Sequence, residues 1–155
     1  MEDDEKTALS MFLAAQRASV LAVVDGLDDQ ALATSVLPSG WTPLGLVEHL
    51  GHAERHWFQE VLTGRADALP WPEGTPLRTP LVFDFYRAQC ARSDAILAVT
   101  PLSAPPRGRH DGPLGGEVTD LRWIVLHMIE ETARHAGHLD VVRELLDGKT
   151  GLGPR

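Results

Sequence analysis

The histidines of this chain are concentrated in two segments, and their spacing predicts a metal site. One segment, LRWIVLHMIEETARHAGHLDVVREL, places His127, Glu131 and His135 four residues apart, with His138 three residues further on. Because residues three or four apart lie on one side of an α-helix, we expect these side chains on a common face. A carboxylate and an imidazole at positions i and i+4 can bind one metal ion without distorting the helix, as two histidines do in the HExxH zinc motif.

The second segment, WTPLGLVEHLGHAERHWF, contributes three more histidines. At about 100° per residue, His52 lies roughly 60° and His56 roughly 20° from His49 around the helix axis, so all three share a face. His49 lies at the edge of the apolar face of this helix, while we expect His52 and His56 to lean further toward solvent. With Glu131 and His135, His49 completes a three-ligand set with open coordination positions, which is more often catalytic than structural.

Ordinary structural roles compete with this interpretation. A single histidine on an amphipathic helix is usually a hydrogen-bonded residue at the edge of the core, and this is the role we assign to His56, His110 and His127. A Glu–His pair at i and i+4 can simply stabilise an exposed helix. Glu131 and His135, however, share a mostly apolar face, where a carboxylate is costly unless it is paired. A metal ion is a natural partner there, and spacing alone leaves both interpretations open.

Four segments have apolar residues at helical spacing and would position these side chains. The ends of these segments are marked by residues that favour helix ends, such as the N-cap Thr42 followed by Pro43, and Gly148 at the end of the last segment. Two long connections, residues 64–79 and 101–116, are rich in proline and glycine, and such loops are usually functional or poorly ordered. The predicted helices span about 4–25, 42–63, 80–99 and 119 or 120 to 146, with a short helical turn at 28–34 and a possible short ribbon at 114–118.

These elements predict an all-α fold, a four-helix bundle in up-down-up-down order with long loops between helices 2 and 3 and between helices 3 and 4. The 155 residues suit one domain covering residues 1–155.

The net charge of −8 argues against nucleic acid as a partner. No apolar run approaches the roughly 20 residues that a bilayer needs, and the first eight residues are acidic. We therefore expect a cytoplasmic protein that binds a small molecule and no membrane. Whether it forms a homodimer stays an open question.

Other reactive or aromatic side chains are assigned structural roles. Cys90 is the only cysteine, so no disulfide can form within the chain, and we expect it to be a small apolar core residue. Trp57 and Trp123 fall on or beside apolar stripes and are expected in the core. Arg122 and Arg134 flank the histidines of the fourth helix and could meet a substrate carboxylate, but surface ion pairs are the simpler expectation.

The motifs GLVEHL and HMIEETARHAGHLDVVREL carry a resemblance to a known family over nearly the whole chain. The sequence resembles the DinB superfamily, also called DinB/YfiT-like, and is closest to an actinobacterial branch of it. The resemblance implies a four-helix bundle with one divalent metal ion, zinc or nickel, near one end. It implies His49 as the ligand from the second helix and Glu131 and His135 as the ligands from the fourth, where many members have two histidines. This set is similar to that of the mycothiol-dependent maleylpyruvate isomerase.

Two further histidines are candidates for contacts beside the three ligands. His138 stands where many members have glutamine, so we expect it to orient a ligand, to contact the substrate or to act as a fourth ligand. His52 is the other candidate for such a contact.

The resemblance also implies a function, because the superfamily includes transferases of bacillithiol, mycothiol and glutathione. The protein would be a metal-dependent transferase that activates a low-molecular-weight thiol, first of all mycothiol, for conjugation to a small electrophile. A metal ion lowers the pKa of a bound thiol, so no protein cysteine is needed. Three alternatives stay open: a metal-dependent hydrolase with His138 or His52 as general base, a non-catalytic metal-binding or stress-response protein, and a tailoring enzyme of secondary metabolism.

Overall fold

The computed structural model describes residues 2–65 and 79–151. In this part of the chain the regular structure is helical, with no strand, which confirms the predicted all-α class. The elements are α1 (Glu2–Val24), α2 (Asp29–Leu32), α3 (Pro43–Glu54), a π-helical continuation of α3 (Arg55–Leu62), α4 (Thr79–Val99) and α5 (Leu121–Asp147).

Short polar side chains set where the two site-bearing helices begin. The side chain of Thr42 accepts a hydrogen bond from the Gly45 amide, and that of Asp120 accepts one from the Trp123 amide. Each bond satisfies an amide that has no partner within the helix. At the other end of α5, Gly148 adopts a left-handed conformation with φ of 78°, which glycine tolerates without strain.

The long helices pack in pairs around an apolar core. α1 packs mainly against α5 and α3 mainly against α4, while α3 also contacts α5. One cluster of buried side chains includes Phe58 and Met128, and a second includes Leu50 and Leu139. The packing is consistent with a helical bundle, and the up-down-up-down order stays a prediction. Contact between α3 and α5 is the feature that the candidate site needs.

The second predicted helix has the expected extent but two geometries. It is α-helical to Glu54 and π-helical from Arg55 to Leu62. A π-helix has hydrogen bonds from i to i+5 and therefore turns less per residue than an α-helix. The rotation of 100° per residue used to place His56 beside His49 does not apply over this stretch.

The possible ribbon at residues 114–118 is wrong, because this segment forms turns. The amide of Gly115 bonds to the carbonyl of Gly112, and the amide of Glu117 bonds to that of Leu114. Gly115, Gly116 and the preceding Pro113 favour turns over a strand pair.

The connection between α4 and α5 is tied to the π-helical segment. The Arg107 amide donates to the Leu62 carbonyl over 3.0 Å, and the Gly108 amide donates to the Val61 carbonyl over 2.8 Å. A Cβ atom at position 108 would collide with the Glu60 carbonyl, so this close approach requires glycine. The other long connection lies mostly at residues 66–78, outside the described residues.

Helix α1 departs from the expectation that no segment is apolar enough for a bilayer. By length and composition alone, Asp3–Val24 could cross a membrane. One such helix near the N-terminus is weak evidence, because core helices and signal sequences meet the same criterion.

A buried ion pair that the sequence did not reveal joins α1 to α3. The Arg17 guanidinium donates two 2.7 Å hydrogen bonds to the Glu54 carboxylate, and both side chains are buried. A third bond of 2.6 Å reaches Asp94 on α4. Burial alone would lower the pKa of Arg17, but its hydrogen bond and charge interaction with Glu54 raise that pKa above the ordinary value. The Arg17 guanidinium therefore stays charged.

Removing the Arg17 guanidinium should destabilise the protein strongly. Arg17→Met leaves the Glu54 carboxylate buried without its partner, so we expect the free energy of unfolding to fall by about 3–5 kcal/mol. Urea unfolding measures this. Arg92→Met, at an exposed position of α4, is the control and should change stability by no more than about 0.5 kcal/mol. Equal stabilities of the two variants would show that the pair does not support the fold.

Candidate metal centre

Three side chains from two helices converge on one carboxylate oxygen. His49 Nε2, on α3, lies 2.9 Å from Glu131 Oε1 on α5, and His135 Nε2, one turn further along α5, lies 3.1 Å from the same oxygen. The two imidazole rings are 4.9 Å apart between centroids. One donor atom from each residue lies within 4.8 Å of the others. The structure thus brings together the three residues that the sequence analysis selected.

These donor atoms suit a divalent ion. Metal–nitrogen and metal–oxygen bonds of about 2.0–2.2 Å place neighbouring ligands of one ion roughly 3 Å apart. The separations of 2.9 and 3.1 Å match that spacing. Imidazole and carboxylate donors are the types that zinc and nickel accept. The three side chains are 15–23% exposed, so the cluster is also reachable from solvent.

The electrostatics favour an ionised carboxylate at the centre of the cluster. Hydrogen bonds from His135 and His49 hold the pKa of Glu131 well below its usual range and outweigh the opposing effect of burial. A metal-binding carboxylate must be deprotonated, and this one needs no further shift at neutral pH.

His138 lies close to this cluster, as the sequence analysis expected. Its ring is nearly parallel to that of His135, with 6.1 Å between centroids and 13° between planes. His135 Nδ1 is buried and has no hydrogen-bond partner among the described residues. A contact of His138 with a ligand or substrate stays a prediction.

A ring beside the cluster and a buried carboxyl on the same helix as His49 were missed in the sequence. The Trp41 ring meets the His49 ring edge-on at 5.6 Å. Glu48 Oε1 is buried without a hydrogen-bond partner in the described part of the chain, and burial raises the pKa of this carboxyl. The signal was their position, since both belong to the segment that ends at His49; their side-chain directions could not be inferred from it.

The expectation that His52 leans toward solvent is wrong. Only 9% of His52 is exposed, and its ring lies 4.7 Å from the Phe85 ring of α4. Gly51 permits this packing, because a Cβ atom there would lie 2.7 Å from the Phe85 ring. Burial lowers the pKa of His52, and the charge of Arg55 lowers it further. Its donor atoms are not part of the three-residue cluster.

The remaining histidines form a separate polar and aromatic group. His56 Nδ1 lies 2.7 Å from Glu60 Oε2, and His56 Nε2 lies 2.9 Å from His110 Nδ1. The His127 ring lies 4.5 Å from Trp57 and stacks on Trp123 at 5.3 Å. These partners agree with the boundary roles expected for the three histidines, and Trp57 is buried as expected.

The two flanking arginines differ. Arg122 pairs with Glu5 over 2.6 Å at the surface, as expected. Arg134 is exposed.

The fold and the cluster define an all-helical protein with a site that could hold one metal ion. The family model described as Mycothiol-S-transferase matches residues 8–148. The chain belongs to the mycothiol-S-transferase family, which lies within the DinB-like superfamily that its motifs resemble. This confirms the predicted function, a transferase of a low-molecular-weight thiol, and implies a small-molecule substrate. No curated protein and no solved structure matches the chain significantly.

A thiol transferase can use its own cysteine as a nucleophile, but Cys90 is unsuited to that role. The side chain is partly buried against the core cluster around Tyr86. Burial, reinforced by the negative charge of Glu54, raises the pKa of Cys90 to about 12. The nucleophilic form of a thiol is the thiolate, which is nearly absent here at neutral pH.

Alkylation tests this assignment. With the pKa raised from 9.0 to about 12, the thiolate fraction of Cys90 at pH 8 falls roughly a thousandfold. Iodoacetamide should therefore label the native protein about a thousand times more slowly than the urea-unfolded protein, and Cys90→Ser should keep transferase activity. Rapid labelling of the native thiol, or loss of activity in a folded Cys90→Ser variant, would contradict the assignment.

Proposed function

We propose that this chain is a cytoplasmic, metal-dependent mycothiol S-transferase, a single domain over residues 1–155 whose ion is bound by His49, Glu131 and His135. The observation that carries the ligand assignment is the approach of both imidazole nitrogens to the same oxygen of Glu131. A zinc or nickel ion there supplies one effect, a lowered pKa of a bound thiol that favours the thiolate near neutral pH. The His, Glu, His set resembles that of the mycothiol-dependent maleylpyruvate isomerase.

The charge of the ligand set supports thiol activation. One carboxylate and two neutral imidazoles neutralise only half the charge of a divalent cation. The remaining positive charge favours an anionic sulfur over a neutral thiol. The pKa of Glu131 lies well below its usual range, so this carboxylate is ionised at neutral pH and can contribute its negative charge to the ligand set.

The transfer itself requires no protein nucleophile. The thiol gives up its proton to solvent, and its sulfur forms a carbon–sulfur bond while a C–O bond of an epoxide, or the π bond of an activated alkene, breaks. The alkoxide or carbanion formed in this way then takes up a proton from solvent. His138 lies beside His135 and is the side chain that we propose to contact the substrate.

A conjugation assay tests the function. Metal-loaded protein is mixed with monochlorobimane and mycothiol, bacillithiol or glutathione, with and without chelator. We expect a metal-dependent rate with mycothiol that levels off near neutral pH, because the bound thiol is already ionised there, whereas the uncatalysed rate keeps rising toward the pKa of the free thiol. Rates equal to the uncatalysed reaction for every thiol would overturn the proposal and favour a hydrolase or binding protein.

Metal retention tests the ligands separately. Zinc-loaded wild-type protein should keep about one ion per chain, and His49→Ala, His135→Ala and Glu131→Gln should each raise the dissociation constant at least about tenfold, because two donors remain. Elemental analysis and competition with a chelator measure this.

Two matched variants control for side effects. Glu130→Gln makes the same change at the exposed neighbour of Glu131, and His56→Ala removes an imidazole outside the cluster. Both should keep the ion. A full equivalent of metal in the double variant His49→Ala with His135→Ala would show that the ligands are other residues.

A further inference from the structure

Trp41 lies against the candidate metal centre although it supplies no ligand. Its ring meets the His49 imidazole edge-on, at 5.6 Å and 66°. The residue stands just before the N-cap Thr42, so its backbone lies outside α3 while its ring lies over the first turns of that helix. The ring lies close to the helix at Gly45, where a Cβ atom would lie 3.8 Å from it, an ordinary contact distance.

The exposure of this ring is not what a core role predicts. Trp41 is 40% exposed, whereas Trp57 is 5% exposed in the apolar core. A large apolar side chain before an N-cap commonly packs on the following helix and sets its direction. That role needs the buried part of the indole only. The exposed part is an apolar surface with a polar N–H, beside a site that is otherwise polar.

Mycothiol has a chemical structure that suits such a surface. Its cysteine is joined through an amide to a glucosamine ring, which carries an inositol ring. Five bonds separate the sulfur from the glucosamine ring, or roughly 6 Å of extended chain. With the sulfur near the donor atoms of the cluster, the sugar ring would be within reach of Trp41, whose ring centroid lies 5.6 Å from that of His49.

We propose that Trp41 forms a binding subsite for the glucosamine–inositol part of the thiol. The C–H face of a sugar ring is apolar, and it gains hydrophobic contact and dispersion energy on an indole surface. Trp41 is then a specificity-determining residue that distinguishes mycothiol from thiols without a sugar. This inference rests on the proposed function and concerns the same site.

Steady-state kinetics test the subsite with two thiols that share the reacting sulfur. For Trp41→Ala we expect KM for mycothiol to rise about tenfold with little change in kcat, since the sugar contact is lost while the sulfur is held as before. With N-acetylcysteine, which has no sugar, kcat/KM should stay within about twofold of wild type. Trp41→Phe should restore most of the affinity for mycothiol, because it keeps an aromatic face.

Two controls separate a subsite from a structural role. Phe12→Ala removes another exposed aromatic side chain, on α1, and should leave both thiols unaffected. The metal content of Trp41→Ala should match that of wild type. Equal losses with mycothiol and N-acetylcysteine, or loss of the metal ion, would overturn the subsite and assign Trp41 to support of α3.

A binding measurement keeps this test independent of turnover. S-methylmycothiol has the sugar but no free thiol, and calorimetry should show at least about tenfold weaker binding to Trp41→Ala than to wild type. If no thiol is transferred but this difference is found, the subsite stands and the proposed function fails. Equal binding to both proteins overturns the subsite, whatever the turnover.

Discussion

The carboxylate of Glu131 lies in the contact between α3 and α5 and makes the site depend on that contact. Without its two histidine partners, burial would raise the pKa of this group and favour its neutral form. One partner, His135, is local, but the other, His49, comes from α3. The hydrogen bond from His49 to this carboxylate therefore requires α3 to be in place, and a metal ion would replace two hydrogen bonds by stronger bonds at the same junction.

The ion pair between Arg17 and Glu54 supports the other side of α3. Glu54 ends the α-helical part of α3 and is completely buried, while Arg17 comes from α1. An uncompensated buried charge is costly, so arrangements that slide α1 along α3 are disfavoured. Polar contacts therefore orient α3 at two positions. Glu54 contacts α1, and His49, which lies between Thr42 and Glu54 on this helix, contacts α5.

Local patterns predicted the local parts of the structure. The N-caps, the extents of the long helices and the pairing of Glu131 with His135 all depend on residues within about a turn of each other. Helical periodicity made His49 a candidate for the third ligand, but it does not say which faces meet, and the family resemblance assigned His49 to that pair. His52 was misplaced because Phe85, on another helix, covers it. The pair of Arg17 and Glu54 was missed for the same reason.

Charge offers a reason for the choice of thiol. The chain carries a net charge of −8, which disfavours anionic ligands at long range. Glutathione and bacillithiol carry carboxylates, whereas mycothiol has no ionisable group apart from its thiol, which is mostly protonated at neutral pH. A neutral cosubstrate approaches an acidic protein without repulsion, and in the proposed function its sulfur would become anionic at the three donor atoms that could hold a cation. Recognition of the rest of the molecule must then come from apolar contact and hydrogen bonds, which is the kind of surface that Trp41 presents.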